Sequence, residues 1–162
     1  MHLEGVGEWS AQSYLDLIRF AARFGFLGQL IVPPGSAKEP GVLRDSEWLR
    51  SVAGATVSRV REWPGTRLLG RKATALRFEL SPTTCSWLGD QVHSPYAWLE
   101  PDHPEDLSFE RGNGSLLFGS VSHEEQSWLE LSSYECEVLG SEFPALAACL
   151  IDAPSSRGLF RA

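Results

Sequence analysis

The chain has 162 residues, of which 43% are hydrophobic and 22% are charged, with a formal net charge of −7. This composition is typical of one globular domain with its own core, and it excludes disordered and fibrous classes. The net charge argues against broad binding to nucleic acids or anionic membranes, and no apolar run reaches the ~20 residues of a membrane span. Three cysteines are too few for a disulfide framework, and we expect no secretion signal, so we predict a cytoplasmic protein.

In chain order, the first predicted element is a helix over 13–24, whose apolar residues share one stripe. An apolar run over 26–32 predicts a buried strand, and a loop rich in Pro and Gly follows it. Asp45 is the predicted N-cap of a short helix. Candidate strands then lie over 55–62 and 74–80, the second with clear alternation of apolar and polar residues.

A second helix start follows the strand over 74–80, since Ser81 suits an N-cap and Pro82 suits the first helical position. The clearest local pattern of the chain comes next. Asn113-Gly114 separates two apolar runs, and this arrangement predicts an antiparallel hairpin over 105–122.

The last third of the chain predicts three more elements. A strand is expected over 127–131, and Ser132 with Glu135 forms the pattern of a capping box at a helix start. An apolar segment over 144–151 predicts a final packed helix.

These elements mix strands and helices without regular alternation, which favours an α+β fold. We expect a single domain over 1–152, with an antiparallel sheet of about four to five strands and three to five flanking helices. Residues 153–162 are predicted to form a C-terminal tail.

Acidic residues are concentrated in the second half of the chain. Residues 90–142 carry twelve Asp and Glu against one base, Arg111, whereas residues 1–89 carry eight acids against eleven Lys and Arg. Because these acids alternate with apolar residues, they predict an acidic face of a folded domain rather than a tail. Such a face is either a solvated surface or a docking surface for a basic partner.

Residues that could support catalysis are few. Cys85, about one turn into the helix after Ser81, could act with His93, His103 or His123 in a small Cys/His hydrolase. No sequence signature surrounds this cysteine, and the closely spaced ligand pairs of zinc sites are absent from the sequence. We therefore predict a non-enzymatic protein with no metal and no cofactor, and keep the hydrolase as an alternative.

A partner-binding site is predicted where aromatic and acidic residues occur together. Tyr96 and Trp98 lie in a Pro-rich link beside several acids, and aromatic residues surrounded by charge are favoured anchors at protein interfaces. Loops at strand ends commonly hold binding residues. The predicted site comprises Tyr96, Trp98, Glu100, Asp102, Glu105, Asp106, Glu124 and Glu125.

Two short sequence motifs within 98–131 resemble those of a known group of proteins. Trp98 to Arg111 contains a Trp followed by Pro-Glu-Asp-Leu, and Gly114 to Glu124 ends in Ser-Val-Ser-His-Glu. Together they resemble small bacterial proteins, some of them similar to immunity proteins of polymorphic toxin systems.

The resemblance implies a cytoplasmic, non-enzymatic protein that binds and neutralises one partner, and it carries over no catalytic residues. From the acidic face and the net charge we predict that this partner is a basic protein, such as a toxin or nuclease domain, and that the chain has no direct contact with nucleic acid or a membrane. A second interpretation of the acidic face is a DNA mimic, or another antagonist of a nucleic-acid-binding protein.

Overall fold

The computed structural model describes residues 1–5 and 8–152, which include five α-helices and ten strands. The fold is α+β, as predicted. The helices are α1 (Ala11–Phe24), α2 (Pro40–Ser51), α3 (Pro82–Gln91), α4 (Ser133–Glu142) and α5 (Pro144–Ala147). The strands are β1 (His2–Gly5), β2 (Leu27–Val32), β3 (Thr56–Val60), β4 (Glu62–Trp63), β5 (Thr66–Arg67), β6 (Ala73–Glu79), β7 (Glu105–Glu110), β8 (Leu116–Val121), β9 (Gln126–Glu130) and β10 (Leu150–Asp152).

Eight of these strands form one antiparallel sheet in the order β10-β1-β9-β8-β7-β2-β6-β3. The prediction of four to five strands was therefore too low. The extra strands include β1 and β10, which are too short to show alternation in the sequence and are held by pairing with distant segments. The predicted helix over 144–151 was wrong beyond Ala147, because Leu150–Asp152 pairs with β1.

The predicted hairpin over 105–122 is confirmed by the pairing of β7 with β8. Its turn has the backbone amide of Gly114 donating to the carbonyl of Arg111 at 2.9 Å, and Gly114 has a φ of +81°. Glycine adopts this left-handed conformation without the strain that a Cβ would cause. The Asn113 side chain accepts from the amide of Ser115 at 3.0 Å and stabilises the same turn.

Serine N-caps begin three of the helices, because a serine hydroxyl can satisfy an amide at a helix start. The Ser81 and Ser132 caps were predicted. The side chain of Ser10 caps α1, which begins at Ala11, two residues before the predicted start. The prediction of Asp45 as an N-cap was wrong, because α2 begins at Pro40 and Asp45 lies in its interior.

The main hydrophobic core lies between the helices and one face of the sheet. It joins Tyr14 and Phe20 of α1 to Phe78, Phe109 and Phe118 of the strands, and all five side chains are buried. The opposite face has a smaller cluster of Ile31, Ala73 and Ala75, covered by the ribbon of β4 and β5 and its neighbours through Val60, Trp63 and Leu68.

None of the helices in the described part of the chain has the length and apolar character needed to cross a bilayer.

Candidate functional site

The segments that carry the predicted site meet at one end of the sheet. Short 3-10 helices at Pro95–Ala97 and Ser122–Glu124 contact each other and the start of β7. The antiparallel pairing of β7 with β8 brings the first residues of one strand beside the last residues of the other. Residues distant in sequence therefore share one surface.

A groove beside the 3-10 helix at Pro95–Ala97 contains three of the predicted residues, Tyr96, Glu100 and Asp102. This acidic groove has a volume of about 590 Å³. Glu100 and Asp102 are exposed, whereas Tyr96 is half-buried and shares a hydrogen bond of 2.9 Å with the Ser127 hydroxyl. The other lining residues are Trp9, Ala11, Gln91, Val92, His93, Ser94, Ala97, Leu99 and His103.

Trp98 does not belong to this surface, although it was predicted as an anchor. Its side chain has 0% exposure, packs against Trp87, and donates from Nε1 to the Tyr14 hydroxyl at 2.7 Å. Burial raises the pKa of Tyr14, so its hydroxyl remains neutral. The next residue, Leu99, is 36% exposed and is one of the apolar residues that line the groove.

The loop that carries Glu100 and Asp102 is fixed to α2 by a buried carboxylate. Asp45 lies 2.6 Å from Nδ1 of His103 and accepts from Nε of Arg44 at 2.9 Å. The loop also lies close to the helix backbone, because a Cβ at Gly41 would be 2.0 Å from the carbonyl oxygen of Asp102. The acidic wall of the groove is therefore held in place without a partner.

Sequence reasoning missed this Asp45–His103 contact. Asp45 adjoins Arg44 and was predicted as an N-cap, so nothing in the sequence indicated that its carboxylate is buried and bonds a second partner. That partner, His103, lies 58 positions away.

Asp106 was predicted to contact a partner, but it is buried, with 2% exposure, and is not available for that contact. Its Oδ1 accepts from the amide of Ser122 at 2.8 Å, and its Oδ2 accepts from Nε1 of Trp63 at 2.7 Å. Its φ of +54° lies in the left-handed region, which is strained for a residue with a Cβ. Asp106 thus joins β7, the 3-10 helix at Ser122–Glu124 and the ribbon of β4 and β5.

Glu105 is half-buried at the start of β7, and burial raises the pKa of its carboxyl, with a further contribution from the charge of Asp106. Among the described residues, Glu105, Asp106 and His123 form the one group whose possible metal-ligand atoms lie within 4.8 Å of one another. Both oxygens of Asp106 accept hydrogen bonds within the protein, and clusters of acidic groups are common in proteins without a metal. That no metal binds here stays a prediction.

Glu124 and Glu125 are exposed but lie outside the acidic groove. Glu124 is 3.7 Å from Nε2 of His123, and Glu125 lines a separate depression that it shares with Glu4 of β1. The predicted site therefore divides into the groove residues, two buried residues, Glu105 at the start of β7, and this neighbouring acidic pair.

The hydrolase alternative depends on Cys85, which is half-buried against the core. Burial raises the pKa of the thiol. A nucleophilic cysteine requires the opposite shift, because the thiolate is the reactive form. This environment argues against Cys85 as a nucleophile.

Comparison of the chain with protein-family models, curated proteins and solved structures finds no match. The resemblance of 98–131 to immunity proteins therefore stays a prediction.

Proposed function

We propose that this chain is a non-enzymatic binding protein that neutralises one basic protein partner, as immunity proteins neutralise toxins. The acidic groove carries the proposal, because it combines exposed carboxylates at Glu100 and Asp102 with apolar contact area at Leu99 and Tyr96. A Lys or Arg side chain fits such a site, since its alkyl stem packs on apolar area while its charged end meets carboxylates.

The groove also needs little rearrangement to bind. The contacts of Asp45 with His103 and Arg44 hold the acidic loop on α2. The hydrogen bond between Tyr96 and Ser127 holds the opposite part of the groove on β9. A preorganised surface loses less conformational entropy on binding, which favours high affinity.

Association with the partner should depend on long-range charge. Twelve acidic residues against one base give residues 90–142 a negative field. Such a field accelerates encounter with a basic protein, and salt weakens it. We expect salt to reduce the association rate much more than it increases the dissociation rate.

The test begins with capture of binding proteins from a bacterial lysate on immobilised chain, followed by purification of what is captured. A double variant, Glu100→Gln/Asp102→Asn, removes the groove charges. Glu130→Gln/Glu137→Gln is the matched control, because it removes the same charge from exposed positions outside the groove. Association and dissociation rates are then measured for each purified protein over a range of salt concentrations.

The proposal expects a basic partner whose association slows by about tenfold in the groove variant and much less in the control. Leu99→Ala should accelerate dissociation, because apolar contacts at an interface centre mainly slow it. Co-expression of the chain should also abolish the toxic activity of that partner. Association that is independent of salt, or equal losses in the groove variant and the control, would overturn the proposal.

A further inference from the structure

Another concave site lies where the segment after β2, the end of β3 and the loop before β6 meet, and its charge is opposite to that of the acidic groove. This basic pocket has a volume of about 390 Å³. Four cationic side chains line it, and none of the Asp and Glu residues that the structure describes does. Its residues are Val32, Pro33, Pro34, Gly35, Ala37, Arg59, Arg61, Gly70, Arg71, Lys72 and Thr74.

Strand pairing and a loop bring the four cations together. Arg59 lies near the end of β3, opposite Thr74 of β6, and Arg61 follows directly after β3. Arg71 and Lys72 belong to the loop that leads into β6. The sequence from 55 to 77 contains six Lys and Arg but one acid, Glu62, within a chain of net charge −7.

Carboxylates do not neutralise this cluster. Among the described residues, none of Arg59, Arg61, Arg71 and Lys72 forms a salt bridge, and all four are exposed. Arg59 instead donates from Nη2 to the carbonyl oxygen of Lys72 at 2.7 Å, which orients its guanidinium at the pocket. Like charges that line one pocket repel one another, and a bound anion relieves the repulsion.

The groups around the pocket suit phosphate oxygens. Guanidinium groups present forked donors that match phosphate geometry, and a lysine adds a compact positive charge. A Cβ at Gly35 or Gly70 would meet nothing within 4 Å, so the backbone is open to a ligand at both positions. The pocket volume lies within the range of small-molecule sites.

We propose that the basic pocket binds a compact anion with two or three adjacent phosphate groups. Four cations exceed what one phosphate requires, whereas a diphosphate or triphosphate can engage them together. Both a free polyphosphate or nucleotide and the backbone of a nucleic acid offer this chemistry.

Acidic residues near the pocket favour a free polyphosphate or nucleotide over the backbone of a nucleic acid. The pairing of Ile31 with Glu105 and of Val32 with Thr74 places the first two residues of β7, Glu105 and Asp106, at the same end of the sheet as the pocket. A long polyanion leaving the pocket in that direction would approach carboxylates, which repel it. A short anion avoids them.

Isothermal titration calorimetry with inorganic tripolyphosphate tests the proposal at low and at physiological ionic strength. Arg61→Gln/Arg71→Gln removes two pocket cations. Arg19→Gln/Arg50→Gln is the matched control, because it removes the same charge from exposed helix positions outside the pocket. Circular dichroism and thermal melting establish that each variant is folded.

We expect one tripolyphosphate to bind per chain, with a loss of roughly tenfold in affinity for each guanidinium removed from the pocket. The control variant should keep its affinity within about threefold, since only the long-range field changes. Absence of binding to the wild-type chain, or equal losses in both variants, would overturn the proposal.

Short and long oligothymidylates, titrated in competition with tripolyphosphate, distinguish the two sources. Release of both oligonucleotides by tripolyphosphate, with no gain in affinity from the longer one, supports the compact ligand. Affinity that rises with oligonucleotide length and resists tripolyphosphate would show an extended nucleic-acid surface and would overturn the compact ligand.

Discussion

Replacing Arg111 by Met should be strongly destabilising, because this single base of the 90–142 region is bonded at several atoms. Its Nε and Nη2 donate to the two carboxylate oxygens of Glu135 at 2.9 and 2.8 Å. Nη1 donates to the carbonyl oxygen of Leu116 at 2.5 Å, and Nη2 donates to that of Glu130 at 2.6 Å. Arg111 thus fastens the hairpin to β9 and to the start of α4.

The size of the stability loss in Arg111→Met follows from how deeply the ion pair between Arg111 and Glu135 is buried. The side chains of Arg111 and Glu135 are 19% and 8% exposed. Breaking a buried pair by removing one partner leaves the other charge unpaired, at a cost of about 3–5 kcal/mol. Because Arg111 keeps some contact with water, we expect the lower part of this range, about 3 kcal/mol, which corresponds to a fall of roughly 10 °C in the melting midpoint.

Urea denaturation at pH 7 measures this loss, and two further variants control it. Arg111→Lys keeps the charge but cannot form the paired bonds, so we expect an intermediate loss. Arg23→Met breaks an exposed ion pair with Glu142 and should change stability little, because water and salt screen that pair.

The same pair predicts a pH dependence. Burial alone would raise the pKa of Glu135, but hydrogen bonds from Arg111 and Ser132 outweigh it and lower the pKa. A lowered folded-state pKa means that the stabilisation is complete above the ordinary glutamate pKa and is lost as pH falls through the folded-state value. The difference in stability between wild type and Arg111→Met should therefore shrink in acid. An equal difference at pH 3 and pH 7, or none at pH 7, would refute the reasoning.

Two other substitutions test the buried indole and the hairpin turn. Trp98→Phe removes the hydrogen bond to Tyr14, so urea denaturation should show a loss of about 1–3 kcal/mol in the free energy of unfolding, with no change in the rate of partner dissociation. Faster dissociation without loss of stability would instead show that Trp98 anchors the partner. Gly114→Val places a β-branched residue at a φ of +81° and should cost about 1–3 kcal/mol, seen as a lower melting midpoint, whereas Gly112→Ala, at a position without positive φ, is the milder control. An unchanged midpoint for Gly114→Val would contradict the turn geometry.

The sequence was a good guide for several elements whose physical cause lies within a few neighbouring residues. Ser132 and Glu135 bond each other's backbone amides at the start of α4, so four consecutive residues contain the whole interaction. The turn at Gly114 likewise depends on its own backbone and on Arg111, three residues earlier.

The candidate site was predicted only in part, because exposure is a property of the packed molecule. Trp98 and Leu99 are adjacent, yet one is buried against Tyr14 and the other lines the acidic groove. Asp106 and Glu105 are also adjacent, but only Asp106 lies where Trp63 and Ser122 can satisfy its carboxylate. No local pattern distinguishes the members of these pairs.

By itself, the sequence determined the α+β class, the helix starts at Ser81 and Ser132, the hairpin and the concentration of acids over 90–142, since these depend on short-range geometry and composition. Tertiary structure alone decided the eight-stranded order of the sheet, the anchoring of the acidic loop by Asp45, and the union of Arg59 and Arg61 with Arg71 and Lys72 in one pocket. These features require segments far apart in the chain to meet, and the free energy of that meeting comes from burying a shared core rather than from the preference of any single segment.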